Sequence, residues 1–221
     1  MSPASKRLID VRLYLITDAA PPRGLAGLIE AAVRGGVDMV QLRDKDIADG
    51  ALLEAAAACA RACASHGVPF IVNDRPDIAL AVRADGVHVG QDDLPVSAVR
   101  ALLGPHAIIG LSTHSQEQID AAGHEVDYIG VGPIHETPTK PGRPAVGFEL
   151  VRHAAAHAAQ PFFAIGGLDP GNVAEVVRAG AQRISILRWI SRAPDPERAA
   201  REVREAMDRA TAGAPRERAT P

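Results

Sequence analysis

Eight short runs of β-branched and apolar residues recur along the chain, beginning near Arg12, Asp38, Pro69, Gly86, Ala107, Asp127, Pro161 and Arg183. Between and after them lie alanine-rich stretches with helical character, at 25–34, 51–65, 77–83, 96–103, 116–122, 148–159, 171–179 and 196–210. Strict alternation of this kind constrains the fold strongly. A strand followed by a helix returns to the same sheet through a right-handed crossover, so the strands run parallel. Eight such units predict an α/β fold, a single-domain (β/α)8 TIM barrel. Continuous apolar runs such as Phe70-Ile71-Val72 suit strands covered on both faces. The rival is an open doubly wound sheet. No Gly-x-Gly-x-x-Gly turn follows the first run, so nothing favours dinucleotide binding.

With 221 residues, 47% of them hydrophobic, the chain can bury one substantial core. We expect residues 1–10 as an N-terminal extension, 11–210 as the barrel, and 211–221 as a disordered polar tail rich in Pro, Gly and Arg. A net charge of -3 argues against a general nucleic-acid binder. No apolar stretch approaches a membrane span and no signal-like segment opens the chain, so a cytoplasmic protein is expected. Cys59 and Cys63, four apart in one helical stretch, face the same side and do not make a disulfide framework.

Apolar runs repeatedly end on polar, anion-friendly residues. In a parallel barrel those endings converge on one face. After the second run come Gln41-Leu42-Arg43-Asp44-Lys45, where alternation puts Gln41, Arg43 and Lys45 on one side, two cations and an amide suited to a polyphosphate. Isolated strand-end cations are usually solvated, so this motif alone is weak. Asp44 and Asp46 fall on the other side. Asn73-Asp74 and Asp92-Asp93 close the adjacent third and fourth runs. Two carboxylates one strand apart beside an anion site suit Mg2+, although a lone Asp there more often caps a helix or closes a turn.

The sixth run opens into Gly132-Pro133 and a loop through Thr137, Pro138, Thr139, Lys140 and Arg143, stiffened by proline and supplied with hydroxyls and cations. Gly166-Gly167 and Leu187-Arg188, after the seventh and eighth runs, occupy the place where many barrels hold a phosphomonoester through backbone N–H groups. A glycine pair is also a common turn. His153 and His157 read as a solvated helix face, His88 as an interior packing residue, and Trp189 and Ile190 as packing residues.

Together these segments, with Gly110-Leu111-Ser112-Thr113-His114, resemble the thiamine-phosphate synthase family, in the family's order and over about residues 13–190. The resemblance implies a transferase that joins 4-amino-2-methyl-5-(diphosphooxymethyl)pyrimidine to 4-methyl-5-(2-phosphooxyethyl)thiazole or its carboxylated form, by a dissociative Mg2+-assisted route that releases pyrophosphate. It further implies that Gln41, Leu42, Arg43, Asp44, Lys45, Asn73, Ser112 and Lys140 bind the pyrimidine diphosphate, with Arg43, Lys45 and Lys140 catalytic. Asp74 and Asp93 would hold Mg2+, and Thr137, Pro138, Thr139, Gly167, Leu187 and Arg188 would surround the thiazole phosphate. Two positions depart from the family pattern: His135-Glu136 replaces an aromatic-Pro pair common in the family, and Arg188 stands where a serine is common. The alternatives are a thiazole tautomerase-like isomerase, which would not need the diphosphate and metal set, and a non-catalytic phosphometabolite-binding barrel. Small-molecule substrates are the expected partners, with no nucleic acid or membrane, and a homo-oligomer remains compatible with the sequence.

Overall fold

The computed structural model describes residues 3–137, 142 and 144–212. Eight strands, β1 (Leu13–Thr17), β2 (Met39–Leu42), β3 (Phe70–Asn73), β4 (Gly86–Val89), β5 (Ile108–Thr113), β6 (Tyr128–Val131), β7 (Phe162–Ile165) and β8 (Ile184–Ile186), close into a barrel in sequence order. Every pairing is parallel, including the closure of β8 on β1 through Leu13 opposite Ile184. The helices are α1 (Pro3–Lys6), α2 (Leu25–Arg34), α3 (Asp49–His66), α4 (Pro76–Ala81), α5 (Val96–Leu103), α6 (Gln116–Asp120), α7 (Gly147–His157), α8 (Val173–Arg178), α9 (Arg188–Ser191) and α10 (Pro196–Ala212). The expected TIM barrel is therefore the fold, and all eight strands begin within a residue of the sequence reading.

Period-two alternation divides each strand between two packing regions. Leu13 and Leu15, Val40 and Leu42, Phe70 and Val72 face outward into the layer between sheet and helices, where α2, α3 and α10 bury Leu28, Ile29, Cys59, Cys63, Val203 and Met207. Tyr14, Met39, Ile71, Ile108, Tyr128 and Phe163 face inward and form a separate cluster. Tyr14, Tyr128 and Phe163 meet edge to face with centroids 5.2–5.9 Å apart, the favoured arrangement for ring quadrupoles. Ala4 and Leu8, from the expected extension, and Val11 join this inner cluster and plug the barrel floor. At the other end of the chain α10 includes Thr211 and Ala212, two residues of the expected tail, and 213–221 lie outside the described residues.

An aspartate precedes three even-numbered strands and ties each to the strand before it. Asp38 accepts hydrogen bonds from the Arg12 and Leu13 N–H groups at 2.8 and 2.9 Å, Asp85 from Phe70 N–H at 2.8 Å, and Asp127 from Ile109 N–H at 3.0 Å. Each also has a cation partner: Arg204, Arg7 and Arg100 respectively. The corresponding place before β8 holds Arg183, whose side chain reaches the Ile9 carbonyl instead.

Cys59 and Cys63 are free and buried on α3, and burial pushes the Cys59 thiol up to about 12, so neither is a ready nucleophile. Among the described residues no helix is long and apolar enough to cross a membrane.

Candidate active site

Glycines shape the barrel mouth. A Cβ on Gly110 would lie 2.1 Å from Tyr128 Cζ and 2.5 Å from His88 Nδ1, so β5 can pass these side chains only as glycine. On the opposite wall, Gly166 and Gly167 carry φ values of 111° and 64°, and a Cβ on either would strike Pro133 at 2.5 Å or His135 at 2.8 Å. The loop after β6 consequently lies directly on the end of β7, with Ile134 N–H donating to the Ile165 carbonyl at 2.9 Å and His135 N–H to Gly166 at 3.1 Å.

These walls enclose a cavity of about 330 Å³, mostly apolar. Tyr14, Ile16, Phe163 and Ile165 supply its inner surface, while Arg43, Ser112, His114, Thr137, Gly167 and Arg188 bring polar groups to it. Gln41 is buried and donates to the Tyr14 hydroxyl. His88 joins Tyr128 Oη at 3.0 Å and Ser112 Oγ at 2.9 Å. It is interior, as expected, and its contacts are hydrogen bonds as well as packing.

The carboxylate and lysine group sits beside the cavity rather than in its lining. Asn73 ends β3 opposite His88 in register, and Asp74 N–H donates to the His88 carbonyl at 2.8 Å. Asp74 adopts φ 59°, a left-handed turn conformation, and its carboxylate meets Lys45 Nζ at 2.6 Å. Asp93 accepts the Gly90 N–H at 2.8 Å. Burial pushes the Asp74 carboxyl above its ordinary range, against the Lys45 ammonium, and Asp93 raises it further. Burial acts upward on Asp93 too, but the Gly90 N–H and a hydrogen bond with Asp74 carry it below the ordinary range. The two acids are thus pushed in opposite directions, Asp74 up and Asp93 down, as befits neighbouring carboxyls that repel when both are charged. A pair pressed together with one lysine nearby suits a divalent cation. Two carboxylates are too few to enclose one, and among the described residues no third metal-ligating side chain joins them.

Other expected site residues fall as follows. Leu42 is buried among the helices, leaving only its backbone for the site. Asp44 braces the loop by accepting the Ala19 and Asp46 N–H groups at 3.1 and 3.2 Å. Leu187 and the exposed Arg188 line the cavity, with Arg188 opening α9. Pro138, Thr139 and Lys140 lie outside the described residues. Two expectations on neighbouring residues need correction. Trp189 does not pack: it is 42% exposed and lines the cavity, whereas Ile190 is buried. His153 is half-buried rather than solvated, paired with Asp120 at 2.7 Å and stacked on His157, which is exposed as expected.

Sequence reading missed Tyr14, Tyr128 and His114. The two tyrosines stand at inward-facing positions of their strands, the signal that could have found them. His114 Nδ1 bonds the Gly132 carbonyl, a tie between β5 and the next loop that no sequence spacing shows.

Fold and site define a (β/α)8 barrel whose cavity, at the C-terminal ends of its strands, gathers cationic and hydroxyl side chains on apolar walls. The family model described as thiamine monophosphate synthase matches residues 13–190, and the chain belongs to that family, an enzyme of the transferase class. It is 51% identical to a thiamine-phosphate synthase of Streptomyces avermitilis over 203 residues, covering 90% of this chain and 94% of that one. It is 50% identical to another of that name from Saccharopolyspora erythraea, covering 90% and 93%. A solved thiamine phosphate pyrophosphorylase from Pyrococcus furiosus superposes with a TM-score of 0.81 at 29% identity, covering 93% of this chain and 98% of that one.

Proposed function

We propose that this enzyme makes thiamine phosphate by joining a pyrimidinylmethyl diphosphate to a thiazole ethyl phosphate, or to its carboxylated form with loss of CO2. One observation carries the reading: a largely apolar cavity is flanked by two different anion-suited ends. At one end stand Arg43, Lys45, Ser112 and the neighbouring carboxyls Asp74 and Asp93; at the other stand Thr137, the Gly166-Gly167 turn and Arg188. Two heteroaromatic rings fit between them, their phosphates pointing apart.

In the reaction the C–O bond between the pyrimidinylmethyl carbon and the diphosphate breaks, the electron pair leaving with the oxygen. The thiazole nitrogen then uses its lone pair to form the new C–N bond. No protein nucleophile is required, and both cysteines are buried outside the site. The protein's task is to hold the leaving anion, which Arg43 and Lys45 do by fixed charge and Ser112 by its hydroxyl. Lys140 is assigned the same role from its place in the family motif. Mg2+ held by Asp74 and Asp93 would neutralise charge on the diphosphate, whose oxygens complete its ligand set. The aromatic inner wall of Tyr14 and Phe163 excludes water that would otherwise capture the cation. We place the reaction in the cytoplasm.

The test is incubation of the purified protein with both substrates, with and without Mg2+, measuring thiamine phosphate and pyrophosphate in equal amounts. Isomerisation of the thiazole phosphate alone, or binding with no pyrophosphate release, would overturn the proposal.

A further inference from the structure

We propose that His88 and Tyr128 are positioning residues that aim the Ser112 hydroxyl hydrogen into the cavity, through a one-way chain of hydrogen bonds crossing the barrel interior. The proposal rests on Ser112 being a ligand of the pyrimidine diphosphate.

Five side chains from five strands make the chain. Gln41 Nε2 donates to Tyr14 Oη, Tyr14 Oη lies 2.9 Å from Tyr128 Oη, Tyr128 Oη lies 3.0 Å from His88 Nδ1, and His88 Nε2 lies 2.9 Å from Ser112 Oγ. Direction follows from the inventory of protons. Tyr14, accepting from Gln41, gives its own hydrogen to Tyr128. Tyr128 gives its hydrogen to His88 Nδ1, which must therefore be bare. Neutral His88 then carries its proton on Nε2 and donates it to Ser112. Ser112 Oγ, already an acceptor, has its hydrogen free for a ligand oxygen, the orientation an anion needs.

Burial pushes both tyrosine hydroxyls up, so each remains a phenol able to donate. The backbone is cut to admit this chain. Gly110 leaves the space that Tyr128 and His88 occupy, and a Cβ on Gly130 would press on His88 Cε1 at 3.3 Å, closer than an ordinary contact. A histidine that merely filled the core would be served by an apolar side chain. This one ends on a hydroxyl that lines the cavity.

Two measurements test the proposal. In protein labelled with 15N at histidine, at about pH 8, well above the ordinary histidine value near 6.5, long-range proton–nitrogen spectra should show His88 protonated on Nε2 and bare on Nδ1. A proton on Nδ1 overturns the proposal. Because this readout needs no turnover, failure of the coupling reaction would remove the proposed function while leaving this result standing. In kinetics, Tyr128→Phe should lower kcat/KM for the pyrimidine diphosphate about five- to tenfold, the equivalent of one neutral hydrogen bond. The KM for thiazole phosphate should not change, and the effect should vanish in a Ser112→Ala background. An unchanged kcat/KM, or an equal loss with and without Ser112, would show a structural role only. Tyr14→Phe, which removes the preceding donor, serves as the second variant should Tyr128→Phe fail to fold.

Discussion

Replacing Asp74 with Asn separates what this carboxylate costs the fold from what it contributes to the site. Its side chain is only 17% exposed and lies against Asp93 as well as Lys45, whose own side chain is 52% exposed. The lysine pair, half in solvent, contributes at most about 1 kcal/mol. Against it stands a carboxyl pushed upward by burial and by a second acid. A carboxyl whose folded-state value exceeds its unfolded value makes the fold lose stability as pH rises through that value. Metal-free Asp74→Asn should therefore melt no lower than the parent at neutral pH, and up to about 1 kcal/mol or 2–4 °C higher. The gain should disappear below about pH 4, where the unfolded carboxyl is protonated too. Asn tolerates the left-handed conformation at this position, so no backbone penalty offsets the gain. Magnesium should reverse the order. The parent should gain about 2.7 kcal/mol at a hundredfold excess of Mg2+ over Kd, while the variant gains little and loses roughly 100-fold or more in coupling rate. Thermal unfolding across pH with and without MgCl2, alongside pyrophosphate release, measures all of this. A variant that keeps the parent's Mg2+-dependent rise in melting temperature would refute the metal assignment.

Three further substitutions have defined outcomes. Asp127→Ala strands the 18% exposed Arg100 and the Ile109 N–H in a site where Asp127 is only 1% exposed, and should cost about 3–5 kcal/mol in urea unfolding. Gly110→Ala should cost at least about 1–3 kcal/mol through overpacking and depress coupling, because the new Cβ displaces Tyr128 and His88; full activity would contradict the steric account. Arg188→Ser should weaken affinity for thiazole phosphate about two- to fivefold, the worth of an exposed ion pair, measurable as a KM change for that substrate alone; no change would show that the guanidinium points away from the site.

Strand and helix periodicity made the barrel legible, since each element presents a simple repeat to a layered core. Val96–Leu103 and Leu25–Arg34 begin and end where their patterns do. Boundaries slipped where side chains competed with helical hydrogen bonding. Asp169 accepts the Gly171 N–H and Asn172 accepts that of Asp169, forming a turn that delays α8 to Val173. The polar strand endings were legible because the barrel gathers them, but their contacts were not. Asp44 resembles its neighbours in sequence yet braces a loop, whereas Trp189, apolar and next to the buried Ile190, turns to the cavity because α9 starts immediately after β8. The interior tyrosine–histidine chain was invisible for a related reason: it joins five strands at separations no local pattern encodes.

The two ends of the barrel use aspartate for opposite purposes. At the N-terminal ends of the strands, Asp38, Asp85 and Asp127 each face an arginine and a backbone N–H, so their charges are matched and their geometry is fixed. At the C-terminal ends, Asp74 and Asp93 lie close together with Lys45 paired to Asp74 among the described residues, and the Asp74 carboxyl is pushed up by burial and by its neighbour, a cost to stability in the absence of a cation. Residues that only held the fold together would be expected to relieve such a conflict, as the first three do. That it stands at the face where Arg43, Ser112 and Arg188 also meet the cavity argues that the strain serves binding, and the Asp74→Asn and Asp127→Ala variants should accordingly differ in sign: neutral or stabilising at one end, strongly destabilising at the other.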